Sequence, residues 1–277
     1  MPTSPANRRL IVNADDFGRS SAINQAVLRA HGQGILTTAS LMVNEPACAE
    51  AVAMAKDNPR LGVGLHLTLL CGHSALPAEQ LPGLTDATGR FSDHPVGMGL
   101  RMFFNPSLRA TLAREMAAQF ERFHATGLPL DHVNGHLNLH LHPTVFALLM
   151  EHAAAWNIRR LRLTFDPFRL NAHLAGGQWL YRTSHYAIYR LLSAWARPAL
   201  RRLGIQHTAR VFGLLQNGRV DEAYLAGLIT RLPPGDSELY SHPSLDEFRH
   251  ELDALVSPRV RALVAERNIQ LIRYQDL

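Results

Sequence analysis

Residues 9–44, "RLIVNADDFGRSSAINQAVLRAHGQGILTTASLMVN", contain the pattern that most clearly indicates the fold class. Residues 9–14 form an apolar run typical of a buried strand. Ser20 then stands where a helix N-cap is expected, directly before a helical pattern. Residues 38–44 form a second apolar run. A buried strand, a helix and another buried strand predict a βαβ unit, in which the two strands lie parallel in one sheet.

The same alternation continues to the end of the chain. Further strands are predicted at residues 63–69, 131–137, 159–164, 209–215, 237–243 and 269–274. Helical segments are predicted between them, and residues 71–104, which are rich in Gly and Pro, are predicted as a long loop. Seven or eight such units imply a parallel sheet with crossover helices. At 277 residues the pattern favours one α/β domain, a closed or partly open (β/α) barrel, over a doubly wound sheet.

The bulk composition excludes several classes of protein. With 47% hydrophobic and 18% charged residues, the chain has the balance of a globular protein with a sizeable core. No apolar run approaches the ~18 residues of a transmembrane helix, and residues 1–9 lack an apolar signal region. Two cysteines, Cys48 and Cys71, are too few for a disulfide framework. We therefore expect a protein of the reducing cytoplasm.

Acidic and histidine side chains stand at the predicted carboxyl ends of strands, where (β/α) barrels carry their functional groups. Asp15 and Asp16 end the first strand, and a bend there would bring both to one side. His66 lies in the third strand, His136 ends the fourth and His242 ends the seventh. Each signal alone has an ordinary explanation, as a solvated turn or a hydrogen-bonded core histidine. Together, one carboxylate and two histidines form a ligand set with open positions, which suits Zn²⁺ or a harder divalent ion.

Residues 132–143, "HVNGHLNLHLHP", contain four histidines: His132, His136, His140 and His142. On a helix the first three would share one face, and on a strand all four would do so. A helix-ending signal, "ATGLP", precedes the stretch, and Gly135 disfavours a helix interior. These features predict a strand that runs into a loop. The spacing alone does not say which histidines bind metal.

Five motifs in this order resemble those of the YdjC-like (ChbG-type) carbohydrate deacetylases: "RLIVNADDFG", "TASLMVN", "GVGLHLTL", "HVNGHLNLHLHP" and "ELYSHPS". The closing "SPRVRALVAERNIQLIRYQDL" is also similar, so the resemblance covers nearly the whole chain. It implies a distorted (β/α) barrel that removes N-acetyl groups from amino sugars with one divalent metal ion, Zn²⁺ or Mg²⁺. Carried over by position, it implies that Asp16, His66 and His136 bind the metal and that Asp15 is the catalytic base.

The chain departs from this family pattern within the histidine stretch. "NGHLNLH" stands where the family usually has "DSHxHxH", so Asn134 replaces an aspartate and Asn138 replaces a histidine. His140 matches the later histidine and is a candidate to line the substrate pocket or to support the ligands. His132 and His142 are predicted not to bind the metal. The two asparagines change the surroundings of the ligands, while the three ligands are intact.

The overall pattern is most similar to the HpnK branch of this family. "NGHLNLHLHP" is followed by a long basic insertion, at about residues 167–208, before "ARVFGLLQNGR". That branch is associated with hopanoid biosynthesis. The resemblance therefore implies a lipid-linked substrate, an N-acetylglucosaminyl hopanoid. Deacetylation of soluble chito-oligosaccharides is the alternative.

The basic character of the chain is confined to one window. Between Asp166 and Asp221 there are eight arginines and no acidic residue, whereas the whole chain has a formal net charge of only +5. Within this window, residues 178–204 form an amphipathic helical pattern. One side carries Leu180, Ala187, Ile188, Leu191, Leu192 and Trp195, and the other side carries Arg182, Arg190 and Arg197.

Three interpretations of residues 178–204 remain open. The simplest is a barrel helix that packs its apolar face on the core and exposes its arginines. The second is an interfacial helix that contacts an anionic bilayer, which would place a cytoplasmic protein peripherally on the inner face of the cytoplasmic membrane. The third is a nucleic-acid surface. We expect no nucleic-acid partner, because no recognised binding motif accompanies the basic run.

The sequence as a whole predicts a metal-dependent carbohydrate N-deacetylase. His242 is the candidate that protonates the leaving amine, Arg162 orients either a carboxylate or the sugar, and Asn44 is a further candidate for substrate binding. The enzyme alternative is another metal-dependent hydrolase, such as an amidohydrolase or a phosphoesterase barrel. The alternative from another class is a non-catalytic lipid- or sugar-binding barrel, which has no evident use for Asp15 beside a complete ligand set. The oligomeric state is not predicted.

Overall fold

The computed structural model describes residues 7–277; residues 1–6, part of the segment predicted to lack a signal region, lie outside the described residues. The described residues form seven strands: β1 Arg8–Phe17, β2 Thr38–Leu41, β3 Gly62–Leu67, β4 Val133–Gly135, β5 Arg210–Phe212, β6 Gly235–Ser241 and β7 Ile269–Leu271. They also form ten α-helices: α1 Ser21–Gln33, α2 Cys48–Asp57, α3 Pro95–Phe104, α4 Leu108–Ala125, α5 Pro143–Glu151, α6 Phe168–Leu174, α7 Trp179–Leu203, α8 Glu222–Arg231, α9 Arg249–Val256 and α10 Pro258–Glu266.

The strands form one curled parallel sheet in the order β4–β3–β2–β1–β6–β5, and β7 pairs with the first residues of β1. The central strand β1 pairs with β2 along its second half and with β6 along most of its length. Helices surround the sheet. Because all strands are parallel, their carboxyl ends meet at one edge, which is where the predicted site residues stand. The prediction of an α/β fold with a distorted (β/α) barrel is confirmed.

The segment predicted as the fifth strand, residues 159–164, spans the gap between β4 and β5 without forming a regular strand. Val133 N donates to Arg160 O at 3.0 Å, and Leu161 N donates to Gln206 O at 3.0 Å. The pairing is limited to isolated parallel bridges. Because β4 is only three residues long, it offers few backbone groups for a longer ladder. The position predicted for this segment was right and its length was wrong.

Part of the segment predicted as a loop, residues 71–104, is the helix α3. Pro95 takes the first helical position, where its missing N–H costs nothing. Met98 and Met102 are buried four residues apart, on one face of the helix. Two glycines in this helix disfavour it by about 1 kcal/mol each, and burial of the methionines offsets that cost. The prediction of a loop gave too much weight to the glycines.

One hydrophobic cluster extends from Leu10 on β1 to Ile269 on β7 and includes side chains from most of the helices. All residues of β2 and β3 are buried, as expected for strands whose outer face packs on helices and whose inner face lines the interior of the curled sheet. Within residues 7–277 no helix is both long enough and apolar enough to cross a bilayer.

Helix α7 turns towards the core the face opposite to the one that its sequence predicts. Its buried residues are Arg182, Ser193, Ala196 and Leu200, whereas at least half of each of the following side chains is exposed: Leu180, Ile188, Leu191 and Trp195. Small side chains on the inner face let the helix lie close to the segment beneath it, and Ser193 Oγ donates to Thr164 O at 2.9 Å. The interpretation as a barrel helix with a buried Leu–Trp face and solvated arginines is therefore wrong, and the prediction of an outward-facing Arg182 is wrong with it.

Candidate functional site

The end of β1 bends and brings two adjacent carboxylates to the same side of the sheet. Asp16 has a left-handed backbone with φ 64°, and the register with β2 shifts between Ala14 and Phe17. Successive side chains of a regular strand point to opposite faces. The bulge therefore allows Asp15 and Asp16 to line one cavity of about 290 Å³. A left-handed non-glycine residue is uncommon and often marks a functional site. The predicted bend is confirmed.

Asp16, His66 and His136 form a compact cluster of side chains that can bind a metal. Asp16 Oδ1 lies 3.3 Å from His66 Nε2 on β3 and 2.9 Å from His136 Nδ1, directly after β4. One candidate ligand atom from each residue lies within 4.8 Å of the others, and all three residues are buried. A carboxylate and two imidazoles at these distances fit one divalent ion, with coordination positions left for water or substrate.

Electrostatic attraction between the Asp16 carboxylate and the two imidazoles shifts the pKa values in this cluster. Burial alone would raise the pKa of Asp16, but the His136 and His66 imidazoles hold that pKa well below the usual range of a carboxyl group. Burial alone would lower the pKa of His136, but the Asp16 carboxylate more than offsets burial and raises it. The cluster is therefore built around an ionised carboxylate, the form that a metal ion requires.

Asp15 is fixed by a fully buried arginine. Arg162 Nη1 donates to Asp15 Oδ2 and Nη2 donates to Asp15 Oδ1, each at 2.8 Å, while Nε donates to Glu238 Oε1 at 2.9 Å. Asn13 Nδ2 adds a donor to Asp15 Oδ1 at 2.8 Å. Burial favours the neutral acid, but the Arg162 guanidinium, helped by His66, holds the pKa of Asp15 below its usual range. Asp15 is therefore ionised and oriented, and its Oδ2 accepts fewer hydrogen bonds than its Oδ1.

Of the two tasks predicted for Arg162, the structure supports orientation of a carboxylate. Its side chain has no exposed surface, and its guanidinium lies 4.4 Å from the centre of the Tyr240 ring. Two carboxylates, from Asp15 and Glu238, occupy its donors. Its burial and its two ion pairs favour orientation of Asp15 over contact with a sugar, and the role of Arg162 in substrate binding stays a prediction.

The four histidines of residues 132–143 have different surroundings, and only His136 belongs to the cluster. His140 Nε2 donates to Arg162 O at 2.9 Å, and burial beside Arg162 lowers the pKa of His140 to about 3. His140 is therefore neutral and contacts the backbone of the Arg162 segment. It is fully buried, and its role at the substrate pocket or beside the ligands stays a prediction. His142 Nε2 donates to the Gly99 carbonyl of α3 at 3.0 Å.

The remaining two predicted site residues, His242 and Asn44, lie in different cavities. His242 follows β6 and lines the cavity that contains Asp15 and Asp16. Its backbone N–H donates to Glu251 Oε2 at 2.6 Å, which fixes the chain at this point. Asn44 lines a separate cavity of about 620 Å³, and its Nδ2 donates to the His73 carbonyl at 3.1 Å.

A chain of buried polar side chains leads away from His66, on the side opposite to Asp16. His66 Nδ1 lies 2.7 Å from Asn134 Oδ1, and Asn134 Nδ2 donates to Ser40 Oγ at 2.8 Å. Ser40 Oγ lies 2.9 Å from His132 Nε2, and His132 Nδ1 lies 2.9 Å from Asp131 Oδ2. His132, predicted not to bind metal, is thus connected to a ligand through two intermediate side chains.

Sequence reasoning missed Glu238, Ser40 and Asp131. Glu238 is fully buried on β6, where it accepts from Arg162, and the Tyr274 hydroxyl also donates to it. A charged residue inside the strand-like run "SELYS" was the available signal. Ser40, a lone polar residue between apolar ones in "TASLMVN", was a similar but weaker signal.

A third cavity, of about 580 Å³, opens beside this centre between α3 and α7. Leu100 and Phe103 line it from α3 and Ile188 lines it from α7, so its walls are largely apolar. Asn138, two residues after the ligand His136, and Tyr240, which packs on Arg162, also line it. The apolar cavity and the polar centre are therefore built on adjoining residues of the same strand ends.

Five exposed apolar side chains line this cavity: Val96, Leu100, Phe103, Leu137 and Ile188. Within the described residues, all the large apolar side chains that are exposed lie on α3, on α7 or at residue 137. We call this set the apolar platform: Val96, Leu100, Phe103, Phe104, Leu137, Trp179, Leu180, Ile188, Leu191, Trp195 and Leu203. Exposed apolar side chains gathered in one region, rather than scattered, mark an interaction site.

Comparison with known sequences identifies relatives along most of the chain. The family model described as "YdjC-like protein" matches residues 9–266. A carbohydrate deacetylase from Geobacillus stearothermophilus is 32% identical over 285 residues, which cover 97% of this chain and 98% of that protein. A carbohydrate deacetylase from Brevibacillus brevis is 39% identical over 153 residues, and that match spans 54% of this chain and 57% of that protein.

Comparison with solved structures supports the fold. A crystal structure of a protein from Enterococcus faecalis superimposes with a TM-score of 0.74, covering 98% of this chain and 99% of that one. The two sequences are 22% identical, so this likeness shows the shared architecture alone.

Proposed function

This chain belongs to the YdjC-like protein family, and on that premise we propose that it is a metal-dependent deacetylase that removes the N-acetyl group from an amino sugar. The observation that supports this most directly is the metal-type cluster of Asp16, His66 and His136, whose ligand atoms lie within 4.8 Å of one another. Beside it stands an ionised Asp15 held by Arg162. The similarity to carbohydrate deacetylases over nearly the full length supports a sugar substrate.

The side chains around the cluster divide the proton transfers between them. When bound at Asp16, His66 and His136, a divalent ion supplies a Lewis acid that polarises the acetyl carbonyl. Asp15 accepts the proton of the attacking water through Oδ2, which has only the one hydrogen bond from Arg162. His242, which lines the same cavity, donates a proton to the leaving amine nitrogen. Because Arg162 already orients Asp15, no side chain has to move before this transfer.

The finer part of the proposal is that the amino sugar is lipid-linked, as in an N-acetylglucosaminyl hopanoid. The apolar cavity between α3 and α7 supports this, because its volume of about 580 Å³ falls in the range of small-molecule sites, roughly 300–1,000 Å³. An apolar aglycone buried there would gain about 25 cal/mol for each Å² removed from water. A soluble chito-oligosaccharide, the alternative substrate, has no group of that kind.

We further propose that the apolar platform and the arginines of α7 contact an anionic bilayer. Leu180 and Leu191 project from α7 with 84% and 70% of their surface exposed, and Arg190, Arg201 and Arg202 of the same helix are exposed as well. Apolar side chains that enter the lipid next to cationic groups that face the headgroups are typical of interfacial helices. A lipid-linked substrate would then enter the cavity from the membrane surface.

Mass spectrometry with two matched substrates tests the function. We expect the Zn²⁺-loaded protein to release acetate from an N-acetylglucosaminide with a long alkyl aglycone, presented in vesicles, with a higher kcat/KM than from a water-soluble chito-oligosaccharide. A chelator should abolish both reactions. Asp15→Asn, which keeps the ligands, serves as the inactive control.

The possible outcomes separate the parts of the proposal. If the metal-loaded protein deacetylates neither substrate but binds one of them, the non-catalytic sugar- or lipid-binding barrel becomes the better explanation. If it deacetylates only the soluble sugar, the deacetylase assignment holds and the lipid-linked substrate is wrong.

A further inference from the structure

Five buried polar side chains, from Asp131 to His66, connect the protein interior to a candidate metal ligand. In order, they are Asp131, His132, Ser40, Asn134 and His66, and each is at most 2% exposed. The four links between them measure 2.9, 2.9, 2.8 and 2.7 Å. A buried network of this kind must satisfy every donor and acceptor, so the direction of one hydrogen bond determines the next.

The direction of the chain is set at the Asp131 end. Asp131 Oδ1 accepts from the Gln275 N–H at 3.0 Å, and Oδ2 faces His132 Nδ1. Because a carboxylate can only accept, His132 carries a hydrogen on Nδ1, and the tautomer with that hydrogen alone presents Nε2 as an acceptor. The Ser40 hydroxyl must then donate its single hydrogen to His132. The ring cannot turn away, because it stacks on Tyr274 with 4.4 Å between centroids.

This direction passes through Ser40 to the amide of Asn134. With its hydrogen committed to His132, Ser40 Oγ can only accept, and the donors that face it are Nδ2 of Asn134 at 2.8 Å and Nδ2 of Asn13 at 3.0 Å. The bond to Ser40 thus favours the orientation in which the amide oxygen of Asn134 faces His66 Nδ1. An oxygen accepts, so His66 carries its hydrogen on Nδ1 and leaves Nε2 free on the side of Asp16.

The opposite orientation of the Asn134 amide also satisfies its immediate neighbours. In that orientation Nδ2 would donate to His66 Nδ1 at 2.7 Å, and the oxygen would accept from Ser40 Oγ at 2.8 Å and from Arg162 Nη2 at 2.9 Å. The hydrogen of His66 would then lie on Nε2, the atom that has to bind a metal. Arg162 favours this second orientation, because in the first one Nδ2 of Asn134 lies 2.9 Å from Nη2 of Arg162, which is also a donor. The groups beyond Ser40 favour the first orientation.

We propose that Asp131, His132, Ser40 and Asn134 form a positioning relay that keeps Nε2 of His66 free to bind a divalent cation. The relay rests on the proposed function, because it acts on one of the proposed ligands. It assigns a task to His132, which no ligand role explains. It also accounts for Gly64, where a Cβ atom would lie 2.5 Å from the His132 ring. The four residues position His66, and none of them contacts the substrate or the cation.

Zn²⁺ affinity, measured by competition with a chromophoric chelator, tests the relay without an activity assay. Ser40→Ala should weaken Zn²⁺ binding about 10–100-fold, the range typical when a partner of a ligand is removed, because Asn134 becomes free to adopt the opposite orientation. Adding Asn134→Asp to Ser40→Ala should recover most of this loss, because a carboxylate accepts from His66 whichever oxygen faces it. Ser40→Thr, which keeps the hydroxyl, should bind like the parent.

Ser237→Ala is the matched control. It removes the same hydroxyl from a fully buried position, but Ser237 Oγ has no hydrogen-bond partner within the described residues. Its Zn²⁺ affinity should equal that of the parent. Long-range ¹⁵N–¹H spectra of the Zn²⁺-loaded parent should also place the hydrogen of His66 on Nδ1.

Each outcome decides the proposal. Parent-like affinity in folded Ser40→Ala overturns the relay, and so does a loss that Asn134→Asp fails to recover, since Ser40 would then act by packing alone. A hydrogen on Nε2 of His66 in the Zn²⁺-loaded parent overturns it independently of any variant. If the parent itself binds no divalent ion, the proposed function is overturned together with the relay. If the parent binds the ion and Ser40→Ala binds it equally well, only the relay is overturned.

Discussion

The site at the carboxyl ends of the strands and the region beneath α6 and α7 differ in how their buried charged groups are paired. At the strand ends, Asp15 is paired with Arg162, and its pKa is held below the usual range. Beneath α6 and α7, Asp166 accepts only from an amide side chain and backbone N–H groups, and burial raises its pKa to about 7. Arg182, buried on α7, leaves Nε and Nη2 without partners in the part of the chain that the structure describes.

The two regions also differ in their apolar side chains. The strands that carry the centre bury all their apolar residues, whereas α3, α7 and residue 137 expose the apolar platform. Side-chain positions and charges are therefore fixed at the strand ends, whereas α3 and α7 present exposed apolar side chains. Predictions that separate the two regions test this contrast directly.

The largest effects are expected at the ligand cluster. Asp16→Ala, His66→Ala and His136→Ala should each lose most of the bound divalent metal together with activity, because three ligands leave little redundancy. Asp15→Asn should keep the metal and lose turnover by ~10²–10⁴-fold, the usual range for a general base. Metal content by plasma emission and turnover are the two measurements.

An exposed histidine, His124 on α4, provides the matched control for these variants. His124→Ala should keep both metal and activity. Loss of metal from His140→Ala but not from His136→Ala would show that the ligand within residues 132–143 has been misassigned.

The next effect concerns stability and pH together. Arg162→Gln leaves Asp15 and Glu238 buried without their cation, which should lower the free energy of unfolding by about 3–5 kcal/mol. It should also raise the pKa of Asp15, so an acidic limb of kcat/KM should appear at a higher pH than in the parent. In the parent, Asp15 remains ionised even below its ordinary pKa of about 3.9. Its titration therefore produces no acidic limb of kcat/KM above that pH.

Urea unfolding and pH–rate profiles measure both consequences. Arg109→Gln is the matched control, because Arg109 forms an ion pair with Glu151 at the surface, where such pairs contribute about 0–1 kcal/mol. Equal destabilisation by the two substitutions, or an unchanged pH profile in Arg162→Gln, would mean that Asp15 does not depend on the buried pair.

At the apolar platform the expected effect is on membrane binding and not on stability. Leu100→Gln with Leu191→Gln should abolish sedimentation with anionic vesicles while changing the free energy of unfolding by less than about 0.5 kcal/mol, as is usual for exposed positions. Each arginine of α7 near the bilayer should contribute on the order of 1 kcal/mol, less at high salt. Replacing Arg190, Arg197, Arg201 and Arg202 by glutamine should therefore weaken vesicle binding strongly.

Four exposed arginines elsewhere provide the charge-matched control: Arg29, Arg60, Arg259 and Arg261. Their replacement by glutamine should leave vesicle binding nearly unchanged. Equal loss in both sets would indicate general attraction of a cationic protein. No binding of the parent at low salt, or a dimer that Leu191→Gln separates, would show that the platform contacts something other than lipid.

The smallest effect on activity and on vesicle binding is expected at Asp166, where the substitution should change the pH dependence of stability. Its pKa is about 7 in the folded protein against an ordinary value of 3.8, so the folded state keeps a proton that the unfolded state has already released. The free energy of unfolding of the parent should therefore fall as the pH rises between these values and level off above them. Asp166→Asn should remove this dependence and be the more stable protein at pH above 7, by up to roughly 1.4 kcal/mol per unit of the shift.

Thermal unfolding across this pH range measures the difference, with Asp93→Asn at an exposed position as the control. Parallel curves for the parent and Asp166→Asn would mean that Asp166 is ionised in the fold. In that case the two regions would treat buried carboxylates alike.

Three features could be predicted from the sequence: the alternation of strands and helices, the bend at Asp15–Asp16, and the edge of the sheet at which the candidate ligands meet. These features follow from local rules, because apolar runs, caps and turns act within a few residues. The prediction that residues 1–277 form one domain, and the roles predicted for the site residues, stay predictions.

Three further features could not be predicted from the sequence and became visible only in the tertiary structure. Arg162 pairs with Asp15 across 147 positions of the chain, which no local pattern can indicate. The sequence period predicts that α7 has one apolar face, but it does not show which face of the helix packs on the core. In the structure the small residues of the other face pack on the segment beneath it. Hydrogen bonds link Asn134 to Asp131 through His132 and through Ser40, which lies on another strand. Each depends on contacts between distant segments, because a side chain's partners are set by the packing of the whole fold and not by its neighbours in sequence.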